Sequence, residues 1–185
     1  MLIRSLRNIT VLSILGVAIF FGGCKKSPIE VNEEELITTV ILTFSATGST
    51  NSTQVIFRDL DGEGGNAPSQ FDPILLDAGT IYNVGIRLLD ESQNNPEDIT
   101  LEVRAEGEDH QFYYIPSGVA ITVGNLDTDS NGNPLGISSQ WTTAGAGAGT
   151  VRVVLKHKPG SKGANDPVTF GDTDVDLSFQ ATIVP

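Results

Sequence analysis

From Leu36 to the C-terminus, short runs of alternating apolar and polar residues are separated by turns rich in Gly, Asn, Asp and Pro. The longest run covers residues 172–184, in which the odd-numbered positions from Val175 to Ile183 are apolar and their neighbours are polar. This period of two is typical of a half-buried β-strand. The same criterion predicts strands at 36–45, 53–59, 74–76, 81–89, 99–105, 110–115, 119–123, 137–143, 150–157 and 172–184.

The spacing of these runs predicts the fold class. Turn signals recur about every 8–12 residues, as in sandwiches and barrels, and no helical pattern alternates with the strands as a parallel α/β sheet would require. We therefore predict an all-β fold over residues 36–185, an immunoglobulin-like antiparallel β-sandwich of about nine strands. A β-barrel is the alternative. The Ala/Gly run at 144–149 is expected to be flexible.

The N-terminus has the pattern of an export signal. Arg4 and Arg7 precede an apolar run at 9–21, which is shorter than the about 20 residues of a membrane-spanning helix. Cys24, the only cysteine, follows two glycines, as in a bacterial lipoprotein signal, although Phe21 replaces the usual leucine. We predict a signal peptide at 1–23 and lipidation of Cys24. An ordinary signal peptide and a retained anchor are the alternatives.

Residues 24–35 link this signal to the predicted domain. The segment is polar and carries three consecutive glutamates at 33–35, which is typical of an acidic tether. An export address close to the lipidated cysteine is the alternative interpretation.

Composition limits the partners. The formal net charge is −12, and it becomes −14 once the two arginines before Cys24 are removed. So acidic a surface repels nucleic acid, and attachment to a membrane would depend on the lipid rather than on charge. The mature chain has no second cysteine, so its core must hold the fold without disulfides.

The sequence offers little support for catalysis. Ser117 and Gly118 lack the Gly-x-Ser-x-Gly pattern of a nucleophile elbow, and neither histidine is adjacent to a serine. We therefore predict that the protein is not an enzyme.

The strongest local motif for metal binding is the segment Asp127-Thr-Asp129-Ser-Asn131-Gly-Asn. Alternate oxygen side chains followed by glycine suit a hard cation such as calcium. The twelfth position of an EF-hand loop would be glutamate but is Ser138, so only a looser calcium site is predicted. A polar turn between strands is the alternative.

His110 and His157 form a second candidate. Each lies at the end of a predicted strand, on the face that also carries apolar residues. If the two ends meet, the imidazoles and a carboxylate such as Asp109 could hold Zn²⁺ or Cu²⁺. Histidines at the rim that bond only to backbone are the alternative.

Four segments together resemble a family of small lipoproteins from Bacteroidota-type bacteria labelled type 1 periplasmic binding fold proteins. The segments are 108–114 (EDHQFYY), 127–136 (DTDSNGNPLG), 153–159 (VVLKHKP) and 171–179 (GDTDVDLSF). Members are often encoded near TonB-dependent receptors of the outer membrane, which implies a role in nutrient or metal uptake. The family label denotes a two-lobed α/β fold, whereas the residues here predict an all-β chain.

The resulting functional hypothesis is a lipid-anchored, non-enzymatic protein of the outer membrane, on its periplasmic face or at the cell surface. It would serve as an accessory or ligand-binding partner of a TonB-dependent receptor. The alternatives are a metal-binding lipoprotein acting alone, with calcium, zinc or copper, and a structural or adhesion module of the envelope.

Overall fold

The computed structural model describes residues 36–62 and 64–185, which form ten strands and one helix. The predicted signal peptide, Cys24 and the tether lie outside these residues. The elements, in chain order, are β1 (Thr39–Ala46), β2 (Thr53–Arg58), β3 (Gln70–Phe71), β4 (Ile74–Asp77), β5 (Ile81–Leu89), α1 (Ile99–Ala105), β6 (His110–Ser117), β7 (Ile121–Gly124), β8 (Ser138–Thr143), β9 (Gly147–His157) and β10 (Asp172–Val184).

The strands form two sheets. The larger sheet has the order β3-β2-β1-β5-β8-β7, and the smaller has the order β4-β10-β9-β6. The predicted all-β fold is confirmed, and one sheet curves into a half-barrel. All strand pairs are antiparallel except β4 and β10, which run parallel, so the purely antiparallel prediction was wrong for this pair. The parallel pair arises because the chain leaves the larger sheet after β3 and adds β4 to the edge of the smaller one.

The core lies between the sheets and is built from the apolar positions of the alternating runs. Trp141 is fully buried near its centre, and its ring meets those of Phe44 and Tyr114 edge-on at centroid distances of 5.3 and 5.4 Å. Val175, Phe179 and three other alternate positions of β10 face inward, as the period of two predicts.

The predicted strand at 99–105 is wrong, because this segment forms helix α1. Its apolar residues alternate with polar ones, which is the pattern of a strand. Of its apolar residues only Ile99 and Val103, which are four positions apart and share one face of a helix, are buried, whereas Leu101 is 67% exposed.

Local signals for this helix were present in the sequence. The side chain of Asp98 accepts a hydrogen bond from the N–H of Thr100 at the start of the helix, and Gly107 follows the C-cap residue. The Thr100 hydroxyl also bonds to the backbone of Leu88, which attaches the helix to the end of β5. The helix is therefore stabilised both by the N-cap at Asp98 and by the bond between Thr100 and Leu88 in the preceding strand.

The glycine-rich run at 144–149 is partly ordered, since β9 begins at Gly147. A Cβ atom on Gly149 would lie 2.2 Å from the backbone oxygen of Ser117, so only glycine permits this approach of β9 to β6. The expectation of a flexible run is therefore wrong for its second half.

Candidate metal centre

The structure brings the two histidines together at one end of the smaller sheet. His110 is the first residue of β6 and His157 is the last residue of β9, and the antiparallel register places them directly opposite each other. Their rings stack with centroids 4.6 Å apart and planes 7° from parallel. Because both side chains share the parity of the buried residues Phe112 and Leu155, the rings face the space between the sheets.

His110 is held in the protonation state that binds metals. Its side chain is 2% exposed, and burial lowers its pKa to about 4, so the ring is neutral at pH 7. Nδ1 lies 3.2 Å from the backbone oxygen of Glu106. Since a carbonyl oxygen only accepts, we assign the proton to Nδ1, which leaves the lone pair of the ring on Nε2.

Glu106 supplies a carboxylate beside the pair. Among the described residues, one ligand atom each from Glu106, His110 and His157 lie within 4.8 Å of one another. Asp109, the carboxylate suggested by the sequence, is engaged elsewhere, because its Oδ1 accepts a hydrogen bond from the N–H of Gly160. Glu106 was missed because the helix that ends beside it was interpreted as a strand.

Metal binding at this group would need a small rearrangement. Zinc–nitrogen bonds are about 2.0–2.1 Å long, so two ligands at a tetrahedral angle lie only about 3.3–3.5 Å apart. The lone pairs of stacked imidazoles lie in parallel planes and do not converge on one point, so one ring must turn. His157 is the ring with room to do so, since it is half-buried whereas His110 is enclosed.

Asp174 is a second carboxylate beside His110, although simple alternation with Val175 would predict it on the solvated face of β10. The pairing of β10 with β9 shifts register between Thr173 and Val175, which makes Asp174 the extra residue of a β-bulge. A bulge changes the direction of a side chain relative to simple alternation. The Asp174 side chain is 6% exposed, and its Oδ2 lies 3.9 Å from Nε2 of His110.

The segment at 158–171, between β9 and β10, is fixed by a buried lysine next to His157. Nζ of Lys158 bonds to Oε1 of Gln111 and the hydroxyl of Tyr113 at 2.7 and 2.6 Å, and its side chain is fully buried. At the end of the segment Gly171 has a φ of +88°, and a Cβ there would lie 2.5 Å from the backbone oxygen of His157. This close approach of the backbone at Gly171 places the start of β10 beside His157.

The predicted calcium loop places its three candidate residues in different surroundings. Oδ1 of Asp127 accepts the N–H groups of Gly136 and Ser138, and Oδ1 of Asp129 accepts those of Asn131 and Asn133. Asn131 itself is exposed. These bonds are those of a polar turn, so calcium binding stays a prediction that would require several backbone contacts to be exchanged.

Asp129 also has a cationic partner. Its Oδ2 lies 2.8 Å from Nζ of Lys162, with the two side chains 1% and 0% exposed. Burial alone would raise the pKa of Asp129, but the hydrogen bonds from Lys162 and from the Asn133 N–H outweigh it and lower the pKa. The Asp129 side chain is therefore not exposed although it lies in a polar loop, because the ammonium of Lys162 is buried against it.

Comparison with known proteins identifies no relative. No protein-family model matches the chain, and no curated protein or solved structure is detectably similar to it. Within the described part of the chain, no helix is long and apolar enough to cross a membrane.

Proposed function

We propose that this chain is a lipid-anchored, non-enzymatic protein of the cell envelope that binds a divalent transition metal ion through His110 and His157. The observation that carries the proposal is the stacked histidine pair with the carboxylate of Glu106 beside it. Imidazole and carboxylate groups together are typical zinc ligands, and the neutral state of His110 avoids competition from a proton at pH 7.

The cellular role of the proposed metal protein comes from the sequence. The Gly-Gly-Cys24 motif supports attachment to the outer membrane through lipid, and the family resemblance supports partnership with a TonB-dependent receptor. A metal-binding protein held next to such a receptor would raise the local concentration of its ligand at the uptake system.

The test is metal affinity of the full chain in detergent, measured by competition with a chromophoric chelator for Zn²⁺. His157→Ala should weaken binding by at least about tenfold, because a ligand is lost from a site with few protein donors. Asp109→Asn is the matched control, since it removes a nearby carboxylate charge that lies outside the group. Equal Zn²⁺ affinity of the wild type, His157→Ala and a His110→Gln, His157→Ala double variant would refute the proposal.

A further inference from the structure

The position of Asp174 extends the proposed site. We infer that Asp174 is a direct ligand of the metal, which it binds together with Nε2 of His110. This inference rests on the proposed function, since it assigns a further ligand to the same centre.

The distance between the two groups supports a bridging ion. At 3.9 Å, Nε2 of His110 and Oδ2 of Asp174 are too far apart for a hydrogen bond of about 2.7–3.2 Å. Metal–nitrogen and metal–oxygen bonds of about 2.0–2.2 Å place two ligand atoms about 3.4 Å apart at a tetrahedral angle and about 4.2 Å apart in a line. The observed separation lies between these limits, so an ion fits between the atoms with little movement.

The orientation of His110 supports the same assignment. Its Nδ1 lies 3.2 Å from the backbone oxygen of Glu106, and its Nε2, the other ring nitrogen, lies 3.9 Å from Oδ2 of Asp174. Histidine ligands usually donate their other ring N–H to a carbonyl or carboxylate, which fixes the tautomer and the ring. The Glu106 carbonyl therefore holds His110 as a metal ligand would be held.

The bulge in β10 explains why the side chain of Asp174 lies beside His110. Without it, Asp174 would face outward together with Asp176, two residues further along the strand. Strand irregularities are common next to functional sites, where they redirect a side chain. Here the redirected side chain is a carboxylate in a largely buried position.

A cavity between the sheets gives an ion access to the carboxylate of Asp174. It measures about 610 Å³, lies between the start of β10 and the β1–β2 region of the larger sheet, and is lined by Asp174, Asp59, Phe57 and Val175 among others. Among the described residues that line it, none is a lysine, arginine or histidine. The carboxylates of Asp59 and Asp174 therefore favour entry of a cation.

The experiment compares Asp174→Asn with Asp176→Asn in the full chain. Asp176 lies on the same strand and lines the same cavity, but it pairs with Arg152 at the surface and does not contact His110. Asp174→Asn should weaken Zn²⁺ binding by more than about 100-fold, beyond the about 10–100-fold typical of an outer-shell partner. Asp176→Asn should change affinity by less than about threefold, because an exposed charge is screened by salt.

Bound Co²⁺ provides a second readout, because its visible absorption falls when water replaces protein ligands and the geometry becomes octahedral. Asp174→Asn should reduce this absorption, and a smaller loss of affinity with an unchanged spectrum would overturn the assignment as a ligand. Unchanged Zn²⁺ affinity of Asp174→Asn would also overturn the assignment. If His157→Ala nevertheless loses Zn²⁺ binding, the proposed function itself would stand. If Asp174→Asn does not fold, Asp174→His is the second variant, because it keeps a metal ligand at this position and should retain Zn²⁺ binding. An Asp174→His protein that folds but binds no Zn²⁺ would also overturn the assignment.

Discussion

Replacing Asp129 by alanine should destabilise the folded protein by about 3 kcal/mol, although Asp129 lies in a polar surface loop. The substitution leaves the ammonium of Lys162 buried, with the backbone oxygen of Gly107 at 2.6 Å as its remaining hydrogen-bond partner. Removing one member of a buried ion pair costs about 3–5 kcal/mol. The lower end applies here because water can reach a loop more easily than a core.

The effect is measurable through the single tryptophan. Trp141 is fully buried, so its fluorescence should report unfolding in urea directly. In a domain of this size a loss of about 3 kcal/mol corresponds to a fall of about 6–12 °C in the melting temperature. Asp129→Asn should fall between the wild type and alanine, since an amide oxygen still accepts the two backbone N–H groups of the turn.

A double variant separates the ion pair from the turn. Asp129→Ala with Lys162→Met removes the buried charge as well, so it should recover most of the lost stability. The surface pair of Arg152 and Asp176, with side chains 44% and 41% exposed, is the control, and Asp176→Ala should change stability little. A buried ion pair at this position would be refuted if Asp129→Ala melts within about 2 °C of the wild type, or if the double variant is no more stable than the single one.

Three further predictions concern pH, calcium and the membrane. His110 has a pKa of about 4 when folded and about 6.5 when unfolded, so the stability from its neutral ring is complete above pH 6.5 and is lost as the pH falls towards 4. Urea titrations across this range should show a loss of about 3 kcal/mol that His110→Gln removes. If the loop at Asp127 binds calcium, the melting temperature should be higher in millimolar calcium than in the presence of a chelator. Asn131→Ala changes an exposed position, so it should reduce this increase without affecting the apo protein. Identical melting curves with calcium and with chelator would favour the polar turn. Cys24→Ser should abolish fatty-acid labelling and release the protein from membranes, and a variant that still fractionates with membranes would indicate a retained apolar N-terminus.

The sequence by itself determined the strands with one buried face. In β5 and β10 the alternation matches burial almost residue by residue, because a strand exposes successive side chains to opposite faces and the core excludes polar ones. The same rule failed at 99–105, where Ile99 and Val103 satisfy both a strand and a helix. The hydrogen bond between Thr100 and Leu88, 12 residues earlier, favours the helix. The alternation of neighbouring residues gives no information about such a contact.

Only the tertiary structure decided the candidate site. The sequence identified His110 and His157 as ends of strands, but the register of β6 against β9 is what makes them neighbours. Asp174 lies beside His110 because one extra residue in β10 shifts the alternation, and such a bulge depends on pairing with β9 rather than on local preference. The buried ion pair of Asp129 could not be predicted from the sequence either, since its partner Lys162 lies 33 positions later in the chain. Local periodicity determines which face a residue occupies, whereas the partner it meets there depends on how distant strands and loops pack together.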